Sequence, residues 1–175
     1  MPKQADVVEA LLAASRAMVG VAARSLASAD ADVTLTPLRT LVVLASRGPQ
    51  RIADVSAELG VNPSTGTRMC DRLVRKGLVR RTRTAGDRRA VRLTLTRAGR
   101  ELVAEVSQRR RAELTRLVAA IPPHSYAELV EIMCAVAAAA GEPQEADWWI
   151  AWHDEADDTL TGSGFGVAGG HHEIE

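Results

Sequence analysis

The apolar residues of this chain recur every three or four positions along most of its length, which is the spacing of one face of a helix. The period changes only over residues 79–95, where apolar and polar side chains alternate as in a β-strand; Val91, Leu93 and Leu95 are the clearest case. Residues 84–87, Thr-Ala-Gly-Asp, have the composition of a turn. These patterns predict a mainly α-helical protein with one small β-hairpin.

Composition and charge exclude several other classes of protein. The chain has 175 residues and is 46% hydrophobic, so wholesale disorder is excluded, and with one Phe and one Tyr its core must be aliphatic. The longest apolar run, residues 132–140, is less than half of the roughly 20 residues that a membrane-spanning helix needs. Asp6, Glu9 and Arg16 interrupt the N-terminal apolar positions, so we predict no signal peptide and expect a cytoplasmic protein.

Capping and turn residues divide the helical part of the chain into six segments. Thr36, Asn62 and Thr96 are predicted N-caps, because their side-chain oxygens can accept from the free N–H groups of a first helical turn. Ser125 and Glu128 have the spacing of a capping box. The predicted helices are residues 4–28, 37–47, 53–59, 63–76, 97–120 and 126–140.

The third and fourth predicted helices have the pattern of a helix-turn-helix. Gly60 lies at the tight turn between them, and Ser56 is a small residue where the two helices must approach each other. Gly66 lies inside the second of these helices, where it costs about 1 kcal/mol relative to Ala, so we interpret it as permitting close packing on the first. Because the hairpin follows directly, the predicted unit is a winged helix-turn-helix.

Charge is distributed unevenly along a chain whose net charge is zero. Residues 63–120 carry 16 basic and 5 acidic side chains, whereas residues 121–175 carry 11 acidic side chains and no Lys or Arg. A basic central segment on a winged helix-turn-helix predicts binding to duplex DNA.

The second helix of such a unit reads the major groove with residues of its first turns, while other cations contact phosphates. Ser64, Thr65, Thr67 and Arg68 are the candidates for reading base edges. Arg72, Arg75, Arg80 and Arg81 are the candidates for phosphate contacts.

Three sequence motifs in this segment resemble those of a known protein family. Residues 67–79 read TRMCDRLVRKGLV, residues 87–89 read DRR, and residues 93–99 read LTLTRAG. With these motifs the chain, over about residues 5–140, resembles the MarR family of transcriptional regulators. The resemblance implies a homodimer whose first and last helices intertwine, with one winged helix-turn-helix on each subunit.

The same resemblance implies roles for individual residues. The family's wing motif, Asp-x-Arg, falls on Asp87 and Arg89, with Arg88 between them: Arg89 is expected in the minor groove and Asp87 is expected to orient the wing. In the recognition helix, the positions with which the family contacts DNA correspond to Thr67, Arg68 and Arg72. It also implies a small aromatic or phenolic effector that releases the protein from DNA.

The resulting division has three parts. Residues 4–30 and 97–140 form a helical dimerisation region, residues 34–95 the DNA-binding domain, and residues 142–175 an acidic C-terminal extension. The function we predict is a ligand-responsive repressor of transcription that acts as a homodimer on a pseudo-palindromic operator. The alternative is a constitutive architectural DNA-binding protein without an effector. No catalytic set, metal-ligand spacing or cofactor motif is recognised, so neither an enzyme nor a cofactor is expected.

The roles of the cysteine and histidine residues and of the C-terminal extension are less sharply predicted by the sequence. Cys70 is expected on the buried face of the recognition helix as a small hydrophobe rather than as a redox sensor, and His171 with His172 is a weak basis for a metal site. The extension holds all three Trp residues of the protein, Trp148, Trp149 and Trp152. It either packs on the dimer or competes with DNA through its acidic side chains.

Overall fold

The computed structural model describes residues 2–29, 32–84, 87–145 and 148, with side chains outside residues 83–90. Within these residues, six α-helices and a two-stranded antiparallel sheet follow one another in the order that the sequence predicts. They are α1 (Gln4–Ala27), α2 (Leu35–Arg47), α3 (Ile52–Glu58), α4 (Pro63–Arg75), β1 (Val79–Thr84), β2 (Asp87–Leu95), α5 (Arg97–Val118) and α6 (Tyr126–Ala139).

Two of the predicted N-caps are confirmed. Asn62 Oδ1 accepts from the Thr65 N–H at 2.8 Å at the start of α4, and Thr96 Oγ1 accepts from the Gly99 N–H at 3.1 Å at the start of α5. Helix α4 ends before Gly77, whose φ of +69° is a left-handed conformation that residues with a Cβ rarely adopt.

The other two predicted side-chain caps are not formed, although α6 begins at residue 126 as predicted. Helix α2 begins at Leu35 with Thr34, not Thr36, as its N-cap residue; Pro37 therefore occupies the third helical position, where its missing N–H costs no intrahelical bond. Ser125 forms no capping bond, because it already has helical dihedral angles in a 3₁₀ turn, Pro123–Ser125, that leads into α6. An N-cap residue requires an extended backbone instead.

The hairpin belongs to one packed lobe, which consists of residues 34–95 and the first half of α5. A third short backbone segment holds the hairpin to the rest of this lobe. In the β1–β2 register, Val79 pairs with Leu95 and Arg81 pairs with Leu93. Gln50, in the turn between α2 and α3, exchanges two backbone hydrogen bonds with Leu93, at 3.1 and 2.7 Å. The base of the wing therefore cannot move independently of the helix-turn-helix.

One aliphatic core lies beneath the helix-turn-helix and the wing. Its centre consists of Leu41 from α2, Val55 from α3, Leu73 from α4 and Leu93 from β2, each at most 1% exposed. The first half of α5 closes this core with Leu102, Val103 and Val106, and the end of α1 adds Leu26. Over the described residues, no helix is long and apolar enough to cross a membrane.

Candidate nucleic-acid interface

The α3–α4 unit depends on one unusually close helix contact. A Cβ at Gly66 would collide with the Oγ of Ser56, which is itself buried and donates to the Ile52 carbonyl at 2.8 Å. The interpretation of Gly66 as a close-packing position is therefore confirmed. This contact brings α4 close against α3.

The first turns of α4 present four polar side chains to solvent. Ser64, Thr65, Thr67 and Arg68 are all exposed. The Thr67 hydroxyl donates to the Pro63 carbonyl, and the Ser64 hydroxyl donates to Asn62 Oδ1, each at 2.8 Å. These residues project from the capped end of a helix that the lobe holds in place, which is the arrangement that major-groove reading requires.

The candidate phosphate contacts lie further along α4 and on β1. Arg72, Arg75, Arg80 and Arg81 are exposed. Two of them are already engaged within the chain: Arg81 pairs with Asp71 of α4, and Arg72 Nη2 lies 3.5 Å from Asp32 Oδ2. The Arg81 pair ties the first strand of the wing to the recognition helix.

The predicted wing contacts fall at the edge of the described part of the chain. Asp87, Arg88 and Arg89 belong to the backbone of β2, and their side chains are outside what the structure describes. Their assigned roles therefore stay predictions.

Sequence reasoning missed two residues at this surface. Lys76, at the C-terminal end of α4, binds Asp32 in the segment between α1 and α2, with Nζ 2.8 Å from Oδ2. Lys76 and Arg72 together hold the pKa of the Asp32 carboxyl below its usual range. Asp32 belongs to no periodic pattern or motif, so the sequence offered no signal for this contact.

The two cysteines have opposite environments. Cys70 is completely buried in the core, and burial raises the pKa of its thiol, with the Asp71 carboxylate adding to the rise. A buried thiol with a raised pKa reacts slowly, since the thiolate is the reactive form. Its predicted place on the buried face of α4 is confirmed, whereas Cys134 is exposed on α6.

The chain beyond α6 returns to the DNA-binding lobe. Glu142 accepts from Arg39 of α2, and Glu145 lies 3.1 Å from Arg111 of α5. Trp148 packs against the aliphatic core. Trp149, Trp152 and the histidine pair lie outside the described residues, and within those described no cluster of metal-binding side chains occurs.

These elements define a class of protein: a winged helix-turn-helix that presents polar and basic side chains to duplex DNA. A sequence model of the MarR family matches residues 33–91, the segment that holds this unit. The chain is 32% identical over 108 residues to the HTH-type transcriptional repressor MdtR of Bacillus subtilis, covering 62% of this chain and 70% of that protein.

Solved structures agree with the sequence matches. The crystal structure of RV1404 from Mycobacterium tuberculosis aligns with a TM-score of 0.75 at 38% identity, over 83% of this chain and 99% of that one. Wild-type MarR from E. coli, in its apo form, aligns with a TM-score of 0.62 at 21% identity, over 78% and 98% of the two chains. This protein belongs to the MarR family of transcriptional regulators: it is a DNA-binding regulator and not an enzyme.

Proposed function

We propose that the protein is a homodimeric, effector-responsive repressor that binds a pseudo-palindromic operator in the cytoplasm. One observation carries this proposal. The same chain contains a packed winged helix-turn-helix lobe and two helices, α1 and α6, whose apolar faces are exposed to solvent. Repression is the activity that the name of the relative MdtR states.

The support for a homodimer comes from α1 and α6. Val8 and Val19 of α1 are 47% and 58% exposed, and Val130 and Ile132 of α6 are 62% and 47% exposed. Within the described residues, α6 buries no side chain at all. Apolar surface removed from water gains about 25 cal/mol per Å², so a second copy that covers these helices gains a large free energy.

This asymmetry also supports the proposed division of the chain. The packed lobe consists of residues 34–95 and the first half of α5. The apolar faces that a single chain leaves exposed lie in the described parts of residues 4–30 and the remainder of 97–140. The described part of the 142–175 extension contacts α2, α5 and the core. These contacts favour a structural role for its first residues.

The roles of the site residues follow from their positions. Ser64, Thr65, Thr67 and Arg68 read bases; Arg72, Arg75, Arg80 and Arg81 contact phosphates; Asp87, Arg88 and Arg89 form the wing contact. A dimer of this kind binds half-sites about one helical turn apart, roughly 10–11 base pairs between centres.

A cavity of about 500 Å³ beside α4 is the proposed effector site. It lies between Pro37 of α2 and the recognition helix, and is lined by Val61, Met69 and the cations Arg68 and Arg72. This lining of apolar side chains and cations fits a small aromatic acid. A ligand here would contact Arg68 and Arg72, which are proposed to contact DNA.

Selection of bound duplexes from a random pool tests the proposal. A two-fold symmetric motif, recovered by a species that sediments as a dimer, is the expected result. Aromatic acids and phenols are then screened for release of that duplex without loss of the dimer. A monomer with and without DNA contradicts the homodimer, and a dimer that no compound releases points to the constitutive architectural alternative.

A further inference from the structure

The Asp32 carboxylate lies between two cations of the recognition helix. A single oxygen, Oδ2, is 2.8 Å from Lys76 Nζ and 3.5 Å from Arg72 Nη2. Lys76 Nζ also donates to the Asp32 backbone carbonyl, so the lysine is held to the α1–α2 segment by two bonds. The Asp32 side chain is nevertheless 85% exposed, which leaves this ion pair open to exchange with an anion from solution.

The two cations are placed to share one anionic oxygen. Arg72 and Lys76 are four residues apart, and side chains at that spacing lie on the same face of a helix. Both side chains reach the same carboxylate oxygen, which shows that their charged ends converge. An oxygen of a DNA phosphate carries the charge and the acceptor geometry that such a pair binds.

We propose that Arg72 and Lys76 form a seat for a single backbone phosphate, and that Asp32 occupies this seat until DNA displaces it. The proposal rests on the DNA-binding role of α4 and deepens it, because it adds Lys76 as a phosphate contact and assigns Asp32 a part in setting affinity. The lowered pKa of Asp32 is consistent with a fully charged carboxylate at neutral pH.

The exchange is energetically accessible. An exposed ion pair contributes little to stability, so little is lost when Asp32 leaves. A phosphate that takes its place also releases condensed counterions from the duplex, a gain that Asp32 does not provide. The other acidic residue at this surface, Asp71, is bound differently from Asp32, because it belongs to α4 itself and its pair with Arg81 joins that helix to β1.

The test compares Asp32→Asn with wild-type protein on the selected duplex by fluorescence anisotropy. Removing the competing charge is expected to tighten binding about two- to fivefold, the range that corresponds to an exposed ion pair. Glu101→Gln is the matched control: it removes the same charge from an exposed pair with Arg97 within α5, and among the ion pairs of the described residues neither of these two contacts Asp32, Arg72 or Lys76. It should change affinity less than Asp32→Asn does.

A double-mutant cycle with Lys76→Gln separates a shared seat from a general charge effect. Lys76→Gln alone should weaken binding and flatten the salt dependence by about one unit. In the Lys76→Gln background, the gain from Asp32→Asn should be smaller, because only Arg72 is left to pair with the carboxylate. Thermal melts of each variant identify any loss of folded protein before affinities are compared.

Three results overturn the proposal. They are an undiminished gain from Asp32→Asn in the Lys76→Gln background, weaker binding by Asp32→Asn while it remains folded, and an unchanged salt slope in Lys76→Gln. Failure of the wild-type protein to bind any duplex would instead overturn the proposed function, so the two failures are distinguishable.

Discussion

The DNA-binding lobe and the helices α1 and α6 bury their apolar side chains to very different extents. In the lobe, Leu41, Val55 and Leu93 are completely buried within one chain. On α6, Val130 and Ile132 are about half exposed, although the helix is richer in apolar residues than α4. The lobe is therefore stabilised by its own chain, whereas a single chain leaves the apolar faces of the two helices exposed, which is why we propose that a second copy covers them.

The largest effect is expected from charges placed on the uncovered face of α6. Replacing Ile132 and Val136 together by Glu should dissociate the dimer, because burying unpaired charges costs several kcal/mol. Loss of the linked second half-site should weaken operator binding by about 10²- to 10⁴-fold. Sedimentation and anisotropy measure both effects, and Glu131→Gln on the same helix is the control. A variant that remains dimeric at micromolar concentration would contradict the assigned interface.

The next effect compares a glycine from each region. Gly66→Ala should destabilise the lobe by about 1–3 kcal/mol, since the new Cβ collides with Ser56. Gly20→Ala on α1 should instead be neutral or stabilising by up to about 1 kcal/mol, because its Cβ meets only the flexible end of Arg24. Thermal melts give both values. Ser56→Gly should restore part of the stability lost by Gly66→Ala, and equal melting temperatures for the two Ala variants would refute the close contact.

Within the lobe, the wing and the recognition helix should respond differently to loss of an arginine. Arg89→Ala should weaken operator binding by about 1–3 kcal/mol, and more strongly on A/T-rich flanks, where the minor groove is narrow. Arg75→Ala should weaken all duplexes alike and flatten the salt slope by about one unit. Binding isotherms on duplexes with varied flanks distinguish them. Equal losses, independent of the flanks, would reject the minor-groove role of Arg89.

The smallest effect is chemical and leaves DNA binding unchanged. Cys70 should be alkylated by iodoacetamide only on unfolding, because it is buried and its pKa is raised, whereas Cys134, which is exposed within a single chain, should be alkylated in the Ile132/Val136 double variant, where α6 is uncovered. Protection of Cys70 should persist in the Ile132/Val136 double variant if the lobe folds without the dimer. Mass spectrometry of digests follows both sites, and rapid native labelling of Cys70 would contradict a sealed core.

The raised pKa of Cys70 also fixes the sign of a pH effect on stability. The unfolded thiol loses its proton near its ordinary pKa of 9.0, while the folded thiol retains it to higher pH. The unfolded state therefore gains stability as pH rises above about 9, and the free energy of unfolding should fall there. Cys70→Ala should remove this part of the alkaline loss, measured by denaturant unfolding at pH 8 and pH 10.

Features that depend on neighbouring residues were determined by the sequence alone. Asn62 and Thr96 begin their helices as predicted, because a cap satisfies N–H groups only two or three positions away. The change of apolar period at residue 79 likewise located the hairpin, and Gly66 with Ser56 indicated a close helix contact. Local rules failed at Thr36, since a proline fits anywhere in the first helical turn and so does not fix where the helix begins.

Features that join distant parts of the chain were decided only by the tertiary structure. Lys76 meets Asp32 across 44 positions, and Arg39 meets Glu142 across 103. No periodicity or capping rule relates residues at such separations, because the partners come together only after the helices pack. The sequence therefore determined which elements this protein contains and which helix is the candidate for reading DNA. Packing alone decided which charges are paired across that surface and which apolar faces a single chain leaves exposed.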